Sequence, residues 1–194
     1  MGRKALVETS ARGFTLVDMV AVMALIGVIS AIAVPSMLSA RDRIRLGQAA
    51  REVEREMQSA KARAVAKSRP MRVRFNCPSA GDYRAVELIG TSAAPVAADA
   101  AANRCSSTLY PYPPADDNPN TRPNLDGPVR TLDSSVTFAV SQTIEFRPDG
   151  TAYRDPGGGA AFALIPTTGV NIRVAREGLT RTITVNGLGK VQLQ

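Results

Sequence analysis

The sequence predicts an α+β chain: one long N-terminal helix, apolar in its first half and amphipathic in its second, followed by a small domain of antiparallel β-strands. Three observations carry this expectation. No charged residue occurs from Met19 to Ala40. Apolar residues then recur at spacings of three and four from Leu46 to Ala64. Beyond Pro70, short runs of strand formers bounded by turn residues replace the helical period.

The uncharged run holds 22 residues. As a helix it measures roughly 33 Å, enough to cross a bilayer core. A secretory signal peptide has a shorter apolar region with its small-residue cleavage site after it. Here Ala31-Ile32-Ala33 lies inside the run. A plain anchor helix is a second reading. A third comes from what precedes the run: a short basic leader ending at Gly13, then Phe14, and an acid, Asp18, near the start of the apolar segment. A charge at the bilayer centre costs about 2.5–3.5 kcal/mol on insertion scales, so an acid at the head of such a helix calls for a partner or a place in the headgroups. Pro35 removes one helix hydrogen bond and kinks or loosens the turn before it.

The second half of the helix carries the stripe Leu46, Ala49, Ala50, Val53, Met57, Ala60 and Ala64. This face is expected to pack on the domain that follows, with charged residues on the other faces. Pro70 ends the pattern. Strands are expected at 71–75, 83–89, 136–140, 143–146, 160–165, 170–174 and 180–185, with turns at Pro148-Asp149-Gly150 and Glu177-Gly178. Residues 91–130 are rich in Ala, Pro, Asn and Asp and read as a long surface loop, of a length that is usually functional or mobile.

Composition narrows the chemistry. The chain has 194 residues, a net charge of +7, two cysteines, and neither His nor Trp. Without His the commonest general base and metal ligand are missing, and no ordinary catalytic triad forms. Cys77 and Cys105 are too few for a zinc site of their own. Gly157-Gly158-Gly159 lacks the Lys-Ser/Thr of a phosphate loop. The expectation is a non-enzyme without metal or cofactor. The two cysteines either form a disulfide tying the first strand to the long loop or remain two free thiols. The basic excess is local. Residues 41–74 hold eleven bases against four acids, whereas 75–194 hold ten against eleven. Such a stem could meet nucleic-acid phosphates, anionic headgroups or acidic neighbouring subunits, or be only a solvated face.

Arg12-Gly13-Phe14-Thr15-Leu16-Val17-Asp18 resembles the cleavage and methylation signal of type IV prepilins. The family's acid falls five residues after the cut, where this chain has Asp18 in place of the usual Glu. Its proline falls 22 residues after the cut, where Pro35 stands. The run Ile144-Glu145-Phe146-Arg147-Pro148-Asp149-Gly150-Thr151, with Thr182-Ile183-Thr184-Val185 and Gly187-Leu188-Gly189-Lys190-Val191, resembles the C-terminal domain of the GspH/FimT family of minor pilins and pseudopilins.

The resemblance implies a leader at 1–13 cut after Gly13 by a prepilin peptidase, N-methylation of Phe14, and a membrane or filament-core helix at 14–40. It implies a stem helix at 41–69 and a β-sandwich of two sheets at 70–194. The helix in such filaments is commonly partly melted near the proline. The leader would be cytoplasmic, with the anchor in the inner membrane and the domain periplasmic or extracellular, where cysteines are oxidised. The implied role is a structural subunit of a type II secretion pseudopilus or a type IV pilus, with other pilins as partners. Asp18 would then meet the Phe14 amine of a neighbour. The alternative is DNA uptake. FimT-like pilins are associated with DNA capture through a basic C-terminal tail; the candidate contacts here are Lys190 and Arg181.

Overall fold

The computed structural model describes residues 15–90, 99, 101–113, 123–157 and 159–194. Two compact units divide at Arg41/Asp42. Helix α1 spans Leu16–Lys67, so the division falls within it.

After Thr15, the described part of the first unit is helix alone. Its side chains from Leu16 to Leu38 lie exposed, Leu16, Ile26 and Ile32 among them. This is one helix long and apolar enough to cross a membrane. It stays helical through Pro35. The proline has no N–H to offer the Ala31 carbonyl, while the Ser36 hydroxyl donates to the Ala33 carbonyl at 2.8 Å.

In the second unit the helix continues to Lys67, and Pro70 follows in the connection to β1. All seven residues of the expected apolar stripe are buried. They pack into one core with two antiparallel sheets. The first sheet has β1 (Met71–Phe75), β2 (Asp82–Glu87), β3 (Arg130–Thr131), β5 (Ile144–Phe146), β6 (Ala152–Arg154) and β7 (Ala163–Leu164), in the order β3-β2-β1-β5-β6-β7. The second has β4 (Thr137–Val140), β8 (Val170–Arg176), β9 (Leu179–Val185) and β10 (Val191–Leu193), in the order β10-β9-β8-β4. Alternation sets the inner faces: Val73 and Ile144 are paired across β1 and β5, and Ile172 and Ile183 across β8 and β9. Phe75, Tyr83 and Phe138 form an aromatic cluster, with Phe75 and Phe138 edge to face at 5.0 Å.

Some elements differ from the sequence expectation. The run 160–165 forms strand only at Ala163–Leu164. β3, β6 and β10 had no strand signal of their own; each is two or three residues long and exists because a neighbouring strand, β2, β5 or β9, supplies its hydrogen bonds. The stretch 91–130 is more than a surface loop. Arg104, Cys105, Asp126 and Asp99 within it are buried, and Ala102–Cys105 forms a 3-10 turn. A disulfide and a buried ionic cluster hold these residues to the sheet.

Candidate assembly surface

The first unit offers a row of exposed apolar side chains and, at its head, one carboxylate. Gly13 and Phe14 lie outside the described residues. Thr15 precedes the helix as its N-cap. Its backbone N–H donates to Asp18 Oδ2 at 3.0 Å, and its hydroxyl donates to the same oxygen at 2.7 Å. Asp18 N–H donates back to Thr15 Oγ1 at 3.2 Å. This is a reciprocal capping box with Asp at the third helical position. Both contacts fall on Oδ2, so among the described residues Oδ1 has no partner. A shorter acid suits this role, since it closes over its own first turn.

The stem half of α1 turns its acids toward its own domain. Glu56 is buried beside the stripe; Arg63 donates to its Oε1 and Arg130 to its Oε2, each at 2.7 Å. Glu54 accepts the Leu193 N–H of β10 at 3.2 Å. Asp42 holds Arg176, at the end of β8, at 2.8 Å. Glu52 lies 3.6 Å from Arg130. Lys61 reaches the Leu188 carbonyl at 2.9 Å.

Backbone approaching backbone explains the glycines of the 187–191 run. A Cβ on Gly187 would stand 2.2 Å from the Ile165 carbonyl oxygen, and one on Gly189 2.4 Å from that of Gly150. Gly189 also has φ +66°, a conformation that glycine adopts without steric cost. The run fits only by close backbone approach.

A second set of charges anchors the 91–130 stretch. Cys77, in the turn after β1, is joined to Cys105. Arg104 donates through both Nη atoms to Asp126, with Nη2 to Oδ1 at 2.9 Å. It also donates to the Glu87 carbonyl at 3.1 Å and stacks on Tyr110. Arg84 donates to the Gly127 carbonyl at 2.6 Å and lies 3.9 Å from Asp126. Burial pulls the Arg84 guanidinium below its ordinary pKa, against the opposing pull of Asp126. Asp126 also accepts the Glu87 N–H at 2.8 Å. Arg74 donates to the Ala101 carbonyl at 2.8 Å, and Asp99 accepts from the N–H groups of Ile89 and Gly90. These buried ions were missed in the sequence. Glu56, three residues after Val53 and next to Met57, was the one legible sign: an acid at the edge of an apolar stripe.

The candidate DNA contacts are not brought together. Arg181 pairs with Val174, while Lys190 precedes Val191, which pairs with Val185. Lys190 lies opposite Asn186, just past the end of β9, so the two are roughly 17 Å apart along the strand. Among the described residues no cluster of His, Cys, Asp or Glu could hold a metal.

A sequence model of the family described as type II transport protein GspH matches residues 49–189. That span runs from the stem through the glycine turn before β10, and the chain belongs to this family of minor pilins and pseudopilins. Two crystal structures of the type IV minor pilin FimU from Pseudomonas aeruginosa are similar in fold. One shows 16% identity and a TM-score of 0.42 over 77% of this chain and 92% of that one. The other shows 15% identity and a TM-score of 0.44 over 78% and 90%. No curated protein matches the chain.

Proposed function

We propose that this chain is a structural subunit of a type II secretion pseudopilus or a type IV pilus, acting in filament assembly and, in the former, in protein secretion. The observation that carries the reading is the pairing of a GspH-family domain with an exposed apolar helix headed by a carboxylate. The chain is made with a leader that prepilin peptidase removes after Gly13, and Phe14 is then N-methylated. The helix resides in the inner membrane before assembly, with the domain on the periplasmic side. The family assembles rather than catalyses, and no cofactor enters the account.

Assembly follows from the charge at the helix head. Cleavage creates a cationic amine on Phe14 in an apolar setting, four residues from Asp18. Asp18 Oδ2 is engaged by Thr15 of its own chain, which leaves Oδ1 for the amine of an incoming subunit. The contact relieves two poorly solvated charges together and fixes axial register.

The test is co-purification with partner pilins at equal expression. Asp18→Asn keeps an oxygen for the capping contacts and removes the charge. It should lower incorporation at least about tenfold, taking ~2 kcal/mol for loss of one partner of a buried charge pair. Asp18→Ala should do the same, and Asp18→Glu should assemble as wild type or better. All three should still insert and be cleaved. Wild-type incorporation of Asp18→Asn would show that the acid serves the helix cap alone.

A further inference from the structure

The stem sorts its charges by face. Its four acids are all engaged by the chain's own domain: Asp42 by Arg176, Glu52 and Glu56 by Arg130, and Glu54 by the Leu193 N–H. Arg51 and Arg55 point the other way. Both are exposed, and among the described residues neither has an acidic side chain within ion-pair distance. They lie four apart on one helix, so they also repel each other without compensation from their own chain. Ile44, Gln48 and Ala62 are exposed at spacings that continue the same stripe, and Ile44 keeps 60% of its surface in solvent.

We propose that this outward face, centred on Arg51 and Arg55, docks the acidic stem helix of a different pilin-like subunit and rejects a second copy of this chain. The proposal rests on the filament reading above and names the neighbour that reading leaves open. A second copy is a poor fit because its stem presents the same arginines, and the one stem acid that is exposed, Glu52, already has Arg130 of its own domain 3.6 Å away. Nor do the described residues of the domain gather acids elsewhere: Asp133 is held by Ser135 and Arg176, Asp149 by Thr151, and no cluster of three forms. Like charges facing each other across an interface reject a wrong partner as firmly as opposite charges select the right one. The chemistry that fits is a helix with two carboxylates three or four residues apart on an exposed face, beside small or apolar side chains that cover Ile44 and Ala62. The bilayer accounts poorly for these two arginines. Arg51 lies eleven residues beyond Ala40, or roughly 16 Å along a helix, and Arg55 roughly 22 Å. Both exceed a Debye length of about 8 Å from the end of the charge-free segment.

The experiment uses the full-length chain in membranes of its own host, with its assembly partners present. A photoreactive residue is placed at Gln48 and, separately, at Ile26 in the apolar half. Adducts are identified and quantified by mass spectrometry. From Gln48, the main adduct should be a different chain with a prepilin-type N-terminus, joined near paired acids, with the self-adduct at a tenth of it or less. The variant Arg51→Glu/Arg55→Glu should lose that adduct at least tenfold and gain a self-adduct when co-expressed with the photoreactive wild-type chain. Arg51→Lys/Arg55→Lys should keep the heterologous adduct. An unchanged Cys77–Cys105 bond and thermal midpoint establish that the variants fold. A dominant wild-type self-adduct, a heterologous adduct indifferent to charge reversal, or adducts with lipid or nucleic acid alone would each overturn the proposal. Pilin adducts from Ile26 with none from Gln48 would sink the stem proposal and leave the filament reading standing. Absence of pilin adducts at both positions would sink both.

Discussion

Replacing Asp126 with Asn removes one charge from the middle of the second unit and almost no volume. Asp126 is 3% exposed, and it is the carboxylate facing two guanidiniums, Arg84 and Arg104, that are 0% exposed. The next acid cannot replace it. Glu87 Oε2 accepts from the N–H groups of Asn124 and Leu125, and Oε1 faces Arg69 at 3.6 Å. Asn keeps an oxygen for the Glu87 N–H but leaves both arginines without their counter-ion. Breaking a buried pair in this way costs about 3–5 kcal/mol. A domain of this size loses about 2–4 °C in Tm per kcal/mol. Asp126→Asn should therefore lower the thermal midpoint of the Asp42–Gln194 unit by roughly 6–20 °C. The assay is thermal unfolding followed by circular dichroism under non-reducing conditions. Glu177→Gln, at an exposed turn, is the control and should move the midpoint by no more than about 2 °C. A loss of less than ~1 kcal/mol in Asp126→Asn would mean that water or local rearrangement neutralises the arginines and that the cluster does not anchor the 91–130 stretch.

Two further perturbations have predicted signs. Gly187→Ala forces a Cβ against a backbone oxygen and should cost about 1–3 kcal/mol, whereas Gly47→Ala, with nothing near its added methyl, should gain about 0.5–1 kcal/mol; chemical denaturation of both separates a close-approach glycine from an incidental one. Cys77→Ser/Cys105→Ser opens a loop of sequence separation 28 and should cost about 3–4 kcal/mol. Two alkylatable thiols in the wild-type chain from its native host would refute the bond.

What the sequence made legible was periodic or punctuated. Seven apolar positions at helical spacing, from Leu46 to Ala64, are the seven that face the sheets. The alternating run from Met71 to Phe75 is β1. Cys77 and Cys105 were seen as a pair, though two free thiols fitted the sequence as well. The misses share a cause: they depend on residues distant in the chain. β10 is three residues that pair with β9 and are tied to the stem by Glu54. β3 is two residues at the end of a long excursion. Arg84 falls inside the strand expected at 83–89, and its burial follows from Asp126 and the Gly127 carbonyl some forty residues later. The reading of 91–130 as a surface loop followed its polar, proline-rich composition, which gives no sign that Arg104 and Asp126 bury each other. At the helix head the sequence offered an acid in register with a family motif, and the structure added its capping partner, Thr15.

Entry of the N-terminal helix into a filament, as proposed, requires a free, cationic N-terminus beside Asp18. Intact-mass measurement with N-terminal sequencing of the chain from its native host tests it most directly. The expected result is a mature chain beginning at N-methylated Phe14, with the leader through Gly13 absent and cleavage blocked by bulky substitution of Gly13. A leader left in place, or a mature start at Val34 after removal of the apolar segment, would contradict it.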